Sequence, residues 1–131
     1  MTEMKIGLKA AATETVLHTN TASALGSGNL SVYATPAMIA LMEKAACNVL
    51  TPYLDKESSS VGISMNITHD AATLPGKTIT ATAELLAISG RKLTFKVTAQ
   101  DEYGIIGQGI HERFIVNKEK FIAKLKNKES K

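Results

Sequence analysis

A long and almost wholly apolar stretch in the first half of the chain constrains the fold more than any other feature. Thr35 can cap a helix here, and Pro36 suits the first helical turn, where no backbone N–H is needed. Residues 37–50 include few strongly polar side chains: Glu43, Lys44 and Asn48. Such a small polar cluster cannot form the wide polar face of a surface helix. The sequence therefore predicts a long helix that the rest of the chain covers on most sides.

Glu43 is the clearest chemical feature of this predicted helix, because its carboxylate stands among apolar neighbours. A carboxylate that loses its water without gaining a partner is strongly disfavoured. We therefore expect Glu43 either to be paired with a cation or to take part in chemistry.

Length and composition indicate one compact intracellular domain. The chain has 131 residues, of which 44% are hydrophobic and none is Trp, so a single aliphatic core is expected. The first residues lack the apolar run of a signal peptide, and no segment approaches the roughly 20 apolar residues that span a bilayer. Cys47 is the single cysteine and cannot form an internal disulfide, which is typical of a reducing compartment. We predict a cytoplasmic protein with no membrane partner.

The net charge of +3 is concentrated at the C-terminal end. Residues 117–131 carry six lysines against two glutamates, a balance of +4, which leaves −1 for residues 1–116. A nucleic-acid groove needs basic residues mixed with exposed aromatic residues across a face, and the sequence has no such pattern. We therefore predict no nucleic-acid partner and interpret the lysine-rich tail as a solvated helix.

Period-two alternation of apolar and polar residues predicts the strands. One strand is expected within residues 4–17, with a bulge at its three consecutive alanines, and residues 18–29 have the Thr, Ser, Asn and Gly content of a loop. Four more strands are expected after the helix, within residues 61–68, 79–85, 93–99 and 105–116.

The predicted order is strand, long helix and four strands joined by short turns, which indicates an antiparallel meander. A sheet with one apolar face and one long apolar helix can bury each other, with the sheet wrapped around the helix. This is the hotdog fold, an α+β architecture, whose open sheet edges dimerisation can cover. We assign residues 1–117 to this domain and residues 118–131 to a short C-terminal helix that docks on it.

Thr35 has two interpretations. As an N-cap it needs no further function. Alternatively, the free N–H groups and partial positive charge of a helix start suit a carbonyl oxygen that becomes an oxyanion, and the hydroxyl could attack a thioester. Thr35 and Glu43 are eight residues apart, about 12 Å along a helix, so a shared site would take them from different subunits or use them on different ligand atoms. Either arrangement favours a dimer.

Other candidate residues lie on the predicted strands. His69 ends a strand, where a side chain is held rigidly and can reach a cleft, although a merely exposed histidine is the simpler interpretation. Gly62 indicates either a bulge or close approach of a ligand to the backbone. Gly107 and Gly109 could leave room for the helix, and His111 is interpreted as structural. No group of His, Cys and carboxylates has metal-ligand spacing, so we predict no metal.

Three segments resemble the fluoroacetyl-CoA thioesterase family of hotdog proteins. They are Ala34-Thr35-Pro36-Ala37-Met38-Ile39 with Met42-Glu43-Lys44-Ala45-Ala46, then Val61-Gly62 with His69-Asp70-Ala71-Ala72-Thr73-x-Pro75-Gly76, and Gly107-x-Gly109-x-His111-x-Arg113. The resemblance covers most of residues 5–117.

The resemblance implies a homodimeric acyl-CoA thioester hydrolase with Thr35, Glu43 and His69 as its catalytic set. It also places Gly62 against the acyl group and makes Arg113 a further substrate-binding residue. It implies no cofactor, since coenzyme A is part of the substrate. The fluoroacetyl-specific enzyme carries lid-forming phenylalanines before its helix, whereas residues 25–30 here contain none. The resemblance therefore carries over thioester hydrolysis but not fluorine discrimination.

We predict hydrolysis of a short-chain acyl-CoA, with His69 as general base toward Thr35 or a water molecule. Glu43 either orients His69 or activates the water. The alternative from another class is a non-catalytic acyl-CoA-binding or ligand-sensing module that keeps the pocket and the dimer. Hydration of an enoyl-CoA is a weaker alternative, because no hydratase signature is present.

Overall fold

The computed structural model describes residues 3–129. Residues 1–2 of the predicted domain and residues 130–131 of the predicted tail lie outside the described residues. The strands are β1 (Lys9–Thr15), β2 (Ser58–His69), β3 (Thr78–Ser89), β4 (Lys92–Asp101) and β5 (Gly104–Asn117). The helices are α1 (Ala22–Leu25), α2 (Thr35–Leu50) and α3 (Lys118–Glu129). One long helix packs on a five-stranded antiparallel sheet, which is the predicted α+β hotdog architecture.

Helix α2 has the predicted extent and burial. The side chains that it buries against the sheet are Met38, Leu41, Met42, Ala45, Ala46, Val49 and Leu50. The predicted N-cap is wrong: Ala34 occupies the cap position, no side chain caps the helix, and Thr35 is already its first residue. The hydroxyl of Thr35 is therefore free to contact another part of the chain.

The order of strands in the sheet is β1-β3-β4-β5-β2, and every neighbouring pair is antiparallel. The predicted meander holds for β3, β4 and β5 but is wrong for β2, which pairs with β5 and lies three strand positions from β3. The connection at residues 70–77 forms its hydrogen bonds elsewhere, because Thr73 O accepts from Tyr33 N and Gly76 N donates to Val16 O. Strands β1 and β2 are consequently the two edges of the sheet.

The bulge predicted in β1 is absent, whereas the bulge that Gly62 indicated in the second strand is present. Strand β1 begins only at Lys9 and pairs with β3 without a shift in register. In β2 the register shifts between Gly62 and Ser64. The predicted alternation of Val61, Ile63, Met65 and Ile67 on one face is therefore broken, because the bulge adds one residue and changes the facing of all that precede it.

Two surface segments also differ from prediction. The expected loop at residues 18–29 contains a 3-10 turn at His18–Asn20 and helix α1. The C-terminal helix forms as predicted, but it buries none of its described residues, with Ile122 and Leu125 about half exposed. That this helix belongs to the same domain stays a prediction, and in the structure the helix contacts β5.

Within residues 3–129, no helix combines the length and the apolar content that crossing a membrane requires.

Candidate active site

Two elements that are distant in sequence bring Thr35 and His69 into contact. Thr35 begins α2, and His69 ends β2. Thr35 Oγ1 lies 2.7 Å from His69 Nδ1, a short hydrogen bond. The two side chains meet because the end of β2 runs past the start of α2, so the hydroxyl turns to the imidazole instead of capping its own helix.

The surroundings of His69 favour a neutral imidazole. Burial lowers the pKa of His69, and this effect exceeds the opposing influence of the Ala71 backbone and the charge of Asp70. Nε2 of the ring is buried and has no hydrogen-bond partner in the described part of the chain. A neutral ring can accept the Thr35 hydroxyl proton at Nδ1, which is what a general base must do.

A small pocket opens beside this pair. Its volume is about 230 Å³, and Tyr33, Asp70 and the small side chains of Ala22, Ala71 and Ala72 contribute to its walls together with Thr35 and His69. In the first turn of α2, Pro36 has no N–H and Met38 N donates to Ala34 O, so Thr35 and Ala37 carry the N–H groups that have no acceptor within the helix and can bind a ligand oxygen. The pocket therefore has the hydroxyl of Thr35 and the imidazole of His69 in its wall, side by side.

Glu43 lies in a second cluster, farther along α2. Its Oε2 is 3.5 Å from Arg113 Nη1, and its side chain is 41% exposed while that of Arg113 is 7% exposed. The expectation that Glu43 is paired is confirmed by this contact. The exposed part of the carboxylate leaves it open to a second partner.

Arg113 is held on several sides. Its Nε donates to Ser60 Oγ at 2.8 Å, its Nη2 donates to the Ser60 carbonyl at 3.0 Å, and its Nη1 lies 3.2 Å from His111 Nε2. Together with the Glu43 contact, these interactions occupy four of the five N–H donors of a guanidinium. Substrate binding by Arg113 stays a prediction, and its contacts favour a role in holding Glu43.

For the glycines that the sequence singled out, the structure shows which neighbour occupies the space that a side chain would need. Gly62 is at the bulge, and a Cβ added there would lie 2.6 Å from Glu43 Oε2, so the missing side chain leaves room for this carboxylate. A Cβ on Gly107 would lie 2.7 Å from Met38 Sδ, which confirms that Gly107 makes room for the helix. A Cβ on Gly109 would lie 2.1 Å from the Asn66 carbonyl oxygen, so this glycine makes room for β2 instead.

His111 is the residue whose surroundings the sequence did not reveal. It is 1% exposed, stacks on Phe95 with ring centroids 6.3 Å apart, and contacts Arg113 beside Glu43. The only signal in the sequence was its position two residues before Arg113, on the same strand face.

Within one chain, the structure thus brings Thr35 and His69 together but leaves Glu43 with Gly62 and Arg113 in a separate cluster. His, Cys, Asp and Glu side chains of residues 3–129 form no group of three or more that could hold a metal ion.

The sequence is similar to known proteins over most of its length. Residues 16–119 match the profile of the fluoroacetyl-CoA-specific thioesterase family. The fluoroacetyl-CoA thioesterase of Streptantibioticus cattleyicolor is 45% identical over 97 residues, which are 74% of this chain and 70% of that protein.

Solved structures of other proteins are similar to this one over almost the whole chain. The fluoroacetyl-CoA thioesterase FlK is 37% identical, with a TM-score of 0.90 over 97% of this chain and 98% of that one. A mutant of FlK has been solved in complex with acetyl-CoA. A thioesterase superfamily member from Thermus thermophilus is 27% identical, with a TM-score of 0.90 over 99% of this chain and 96% of that one.

Proposed function

The chain belongs to the fluoroacetyl-CoA-specific thioesterase family, a family of thioester hydrolases, and on this premise we propose that it hydrolyses short-chain acyl-CoA thioesters at a site shared by two copies of the chain. The observation that carries the proposal is the 2.7 Å contact between Thr35 Oγ1 and His69 Nδ1 beside a small pocket. The pocket volume of about 230 Å³ lies below the range of drug-sized ligand sites, which suits a small acyl group. The acetyl-CoA complex of FlK supports the same class of substrate.

Acylation starts at Thr35. Its Oγ attacks the thioester carbonyl carbon while its proton passes to His69 Nδ1, which forms a C–O bond and a tetrahedral oxyanion. The free N–H groups at the start of α2 stabilise this oxyanion. When the C–S bond breaks, the coenzyme A sulfur takes the proton from His69 and leaves as the thiol.

Deacylation needs a second base, for which we propose Glu43. A water molecule gives its proton to the Glu43 carboxylate and attacks the acyl-threonine ester. The C–O bond to Thr35 then breaks, the proton returns to Thr35 Oγ, and the acid leaves. We assign Glu43 to the water and not to His69 because Nε2 of His69 is buried inside its own chain, where no carboxylate of a second copy can reach it.

A second copy of the chain can bring Glu43 to Thr35. Gly62, whose missing side chain leaves room for Glu43, and His69 are seven residues apart on the edge strand β2, about 20 Å once the extra residue of the bulge is allowed for. Both face α2 only because of the bulge between them, since their pairing partners Arg113 and Gly107 face α2 as well.

Antiparallel pairing of two β2 strands centred on Asn66 of both copies, with Ile63 of each as the extra residue of its bulge, would place Gly62 of one copy opposite His69 of the other. Glu43 of each copy would then meet Thr35 and His69 of the other. The 50% exposure of Ile63 on this open edge supports a homodimer that covers it. Coenzyme A enters only as part of the substrate, and we place the enzyme in the cytoplasm.

Turnover is tested by thiol release from a panel of acyl-CoAs, from acetyl and fluoroacetyl to longer and aromatic chains, with Glu43→Gln measured alongside. We expect the parent to prefer short chains and the variant to lose at least 100-fold in kcat. Binding of a non-hydrolysable acyl-CoA analogue without any thiol release would instead identify a ligand-sensing module.

The shared site is tested by mixing two inactive variants, Thr35→Val and Glu43→Gln, after unfolding and joint refolding. Half of the dimers formed at random are mixed, and each mixed dimer has one site with both residues intact, so about one quarter of the parent's activity should return. If Thr35 and Glu43 served one site within a single chain, no mixed dimer would be active. Each variant refolded alone is the control.

A further inference from the structure

A buried polar cluster stands behind Glu43, on the side away from solvent. Arg113 is 6% exposed and His111 is 1% exposed, and both project from β5 toward α2. A buried guanidinium needs a negative partner, and the Glu43 carboxylate at 3.5 Å supplies it. The position of Glu43 therefore depends on how the guanidinium is oriented.

Ser60 and His111 set the orientation of the Arg113 guanidinium from opposite edges of that group. Ser60 accepts from Nε and Nη2 of Arg113 through its hydroxyl and its carbonyl, at 2.8 and 3.0 Å. His111 Nε2 lies 3.2 Å from Nη1, the same nitrogen that contacts Glu43. Without an acceptor on the His111 side, the Nη1 edge of the guanidinium would be held only by the partly exposed carboxylate of Glu43.

The hydrogen bonds of His111 define its tautomer. Nδ1 lies 2.8 Å from the Ser64 carbonyl oxygen, which can only accept, so Nδ1 carries the proton. Nε2 is then a lone pair, and it accepts from the donor-only guanidinium of Arg113. Burial lowers the pKa of His111, and the positive charge of Arg113 acts in the same direction, against Glu43, Glu112 and the Ser64 carbonyl. His111 is therefore neutral at neutral pH.

We infer that His111 is a positioning residue for hydrolysis: its Nε2 lone pair fixes the guanidinium of Arg113 so that Nη1 holds Glu43 where it can take a proton from water. This rests on the proposed function, in which Glu43 is the base of deacylation. His111 itself touches no reacting atom, and its effect reaches the site through Arg113.

The test compares two amides that differ by one methylene. In His111→Gln the amide oxygen can take the place of Nε2 and accept from Arg113, whereas in His111→Asn the amide reaches only the place of Nδ1. We expect His111→Asn to lose at least tenfold in kcat with KM within about threefold of the parent, and His111→Gln to recover most of that loss. Equal kcat values for the two variants and the parent would overturn the inference, and so would losses that follow only the folded fraction measured by urea unfolding.

A second readout separates this inference from the proposed function. The carbon-13 chemical shift of the Glu43 carboxylate should move in His111→Asn and stay near the parent value in His111→Gln. Inactivity of the parent on every acyl-CoA would refute the proposed function, while this shift would still report whether His111 positions Glu43. If neither His111 variant folds, Arg113→Lys keeps the positive charge but removes the guanidinium through which His111 Nε2 would act on Glu43. Its kcat should fall severalfold at constant KM, and an unchanged kcat would overturn the inference.

Discussion

The carboxylate of Glu43 occupies the space that a side chain on Gly62 would fill, since a Cβ there would lie 2.6 Å from Glu43 Oε2. The bulge in β2 turns this glycine toward α2, and Arg113 holds the carboxylate from the other side. The position of one proposed catalytic group therefore depends on the absence of a side chain on the neighbouring strand.

Gly62→Ala should reduce activity without unfolding the protein. The new methyl group meets the end of the flexible Glu43 side chain at 2.6 Å and His111 Cε1 at 3.2 Å. Glu43 can swing away from Arg113, and the His111 ring has to shift by only a few tenths of an ångström, so the backbone stays in place. We expect kcat to fall about 10- to 100-fold, because small displacements of a catalytic group have effects of this size. The free energy of unfolding should change by less than about 1 kcal/mol, measured in urea. A kcat equal to that of the parent would show that turnover does not depend on the position of Glu43 beside Gly62.

Gly109→Ala should act in the opposite way. Its Cβ would lie 2.1 Å from the Asn66 carbonyl oxygen, a backbone atom that cannot move without separating β5 from β2. We expect a loss of about 3 kcal/mol or more in the free energy of unfolding, at the upper end of overpacking effects. Urea unfolding of this variant beside Gly62→Ala gives the comparison. A Gly109→Ala protein as stable as the parent would show that the two strands separate easily at this point.

Activity should depend on the hydroxyl of Thr35 more than on the shape of the Thr35 side chain. Thr35→Val keeps the volume of the side chain and removes the proton that His69 Nδ1 accepts, so we expect kcat to fall about 100- to 10,000-fold. Thr35→Ser keeps the hydroxyl and should retain a substantial share of the activity. Single-turnover measurement of thiol release distinguishes these outcomes. Turnover by Thr35→Val at the parent's rate would mean that His69 activates water directly.

Acid should destabilise the folded protein through its two partly buried histidines. The pKa values of His69 and His111 are both lowered in the folded state, with burial as the main cause. The unfolded chain therefore binds more protons than the folded chain below about pH 6.5, and stability falls as the pH drops through the folded-state values. Urea unfolding at a series of pH values should show this decline.

The matched control for this pH dependence is the double variant His69→Gln/His111→Gln, in which neither position titrates. Its decline in stability below about pH 6.5 should be shallower than that of the parent. An identical decline in both proteins would assign the effect to other groups.

Much of the fold could be predicted from the local pattern of apolar and polar residues. The apolar run of α2 and the period-two alternation of β3, β4 and β5 place each element within a few residues of its observed bounds, because these elements bury the side chains that the pattern marks. The errors in the predicted fold concern features that depend on contacts between segments distant in the chain. Strand β2 could not be placed beside β5 from its turn residues. The sequence offered a bulge at Gly62 and another in β1, and it could not decide which one forms, since a bulge depends on the register of the neighbouring strand.

For the candidate site as well, some features could be predicted from the sequence and others required the tertiary structure. The sequence by itself determined which residues are candidates for the chemistry, since a carboxylate in an apolar helix, a hydroxyl at a helix start and a histidine at a strand end can each be recognised separately. Only the tertiary structure decided which of them meet: Thr35 with His69, and Glu43 with Gly62, Arg113 and His111. The physical reason is that residue type and periodicity are local, whereas strand order, register and the burial of a polar cluster come from the packing of segments that are distant in the chain.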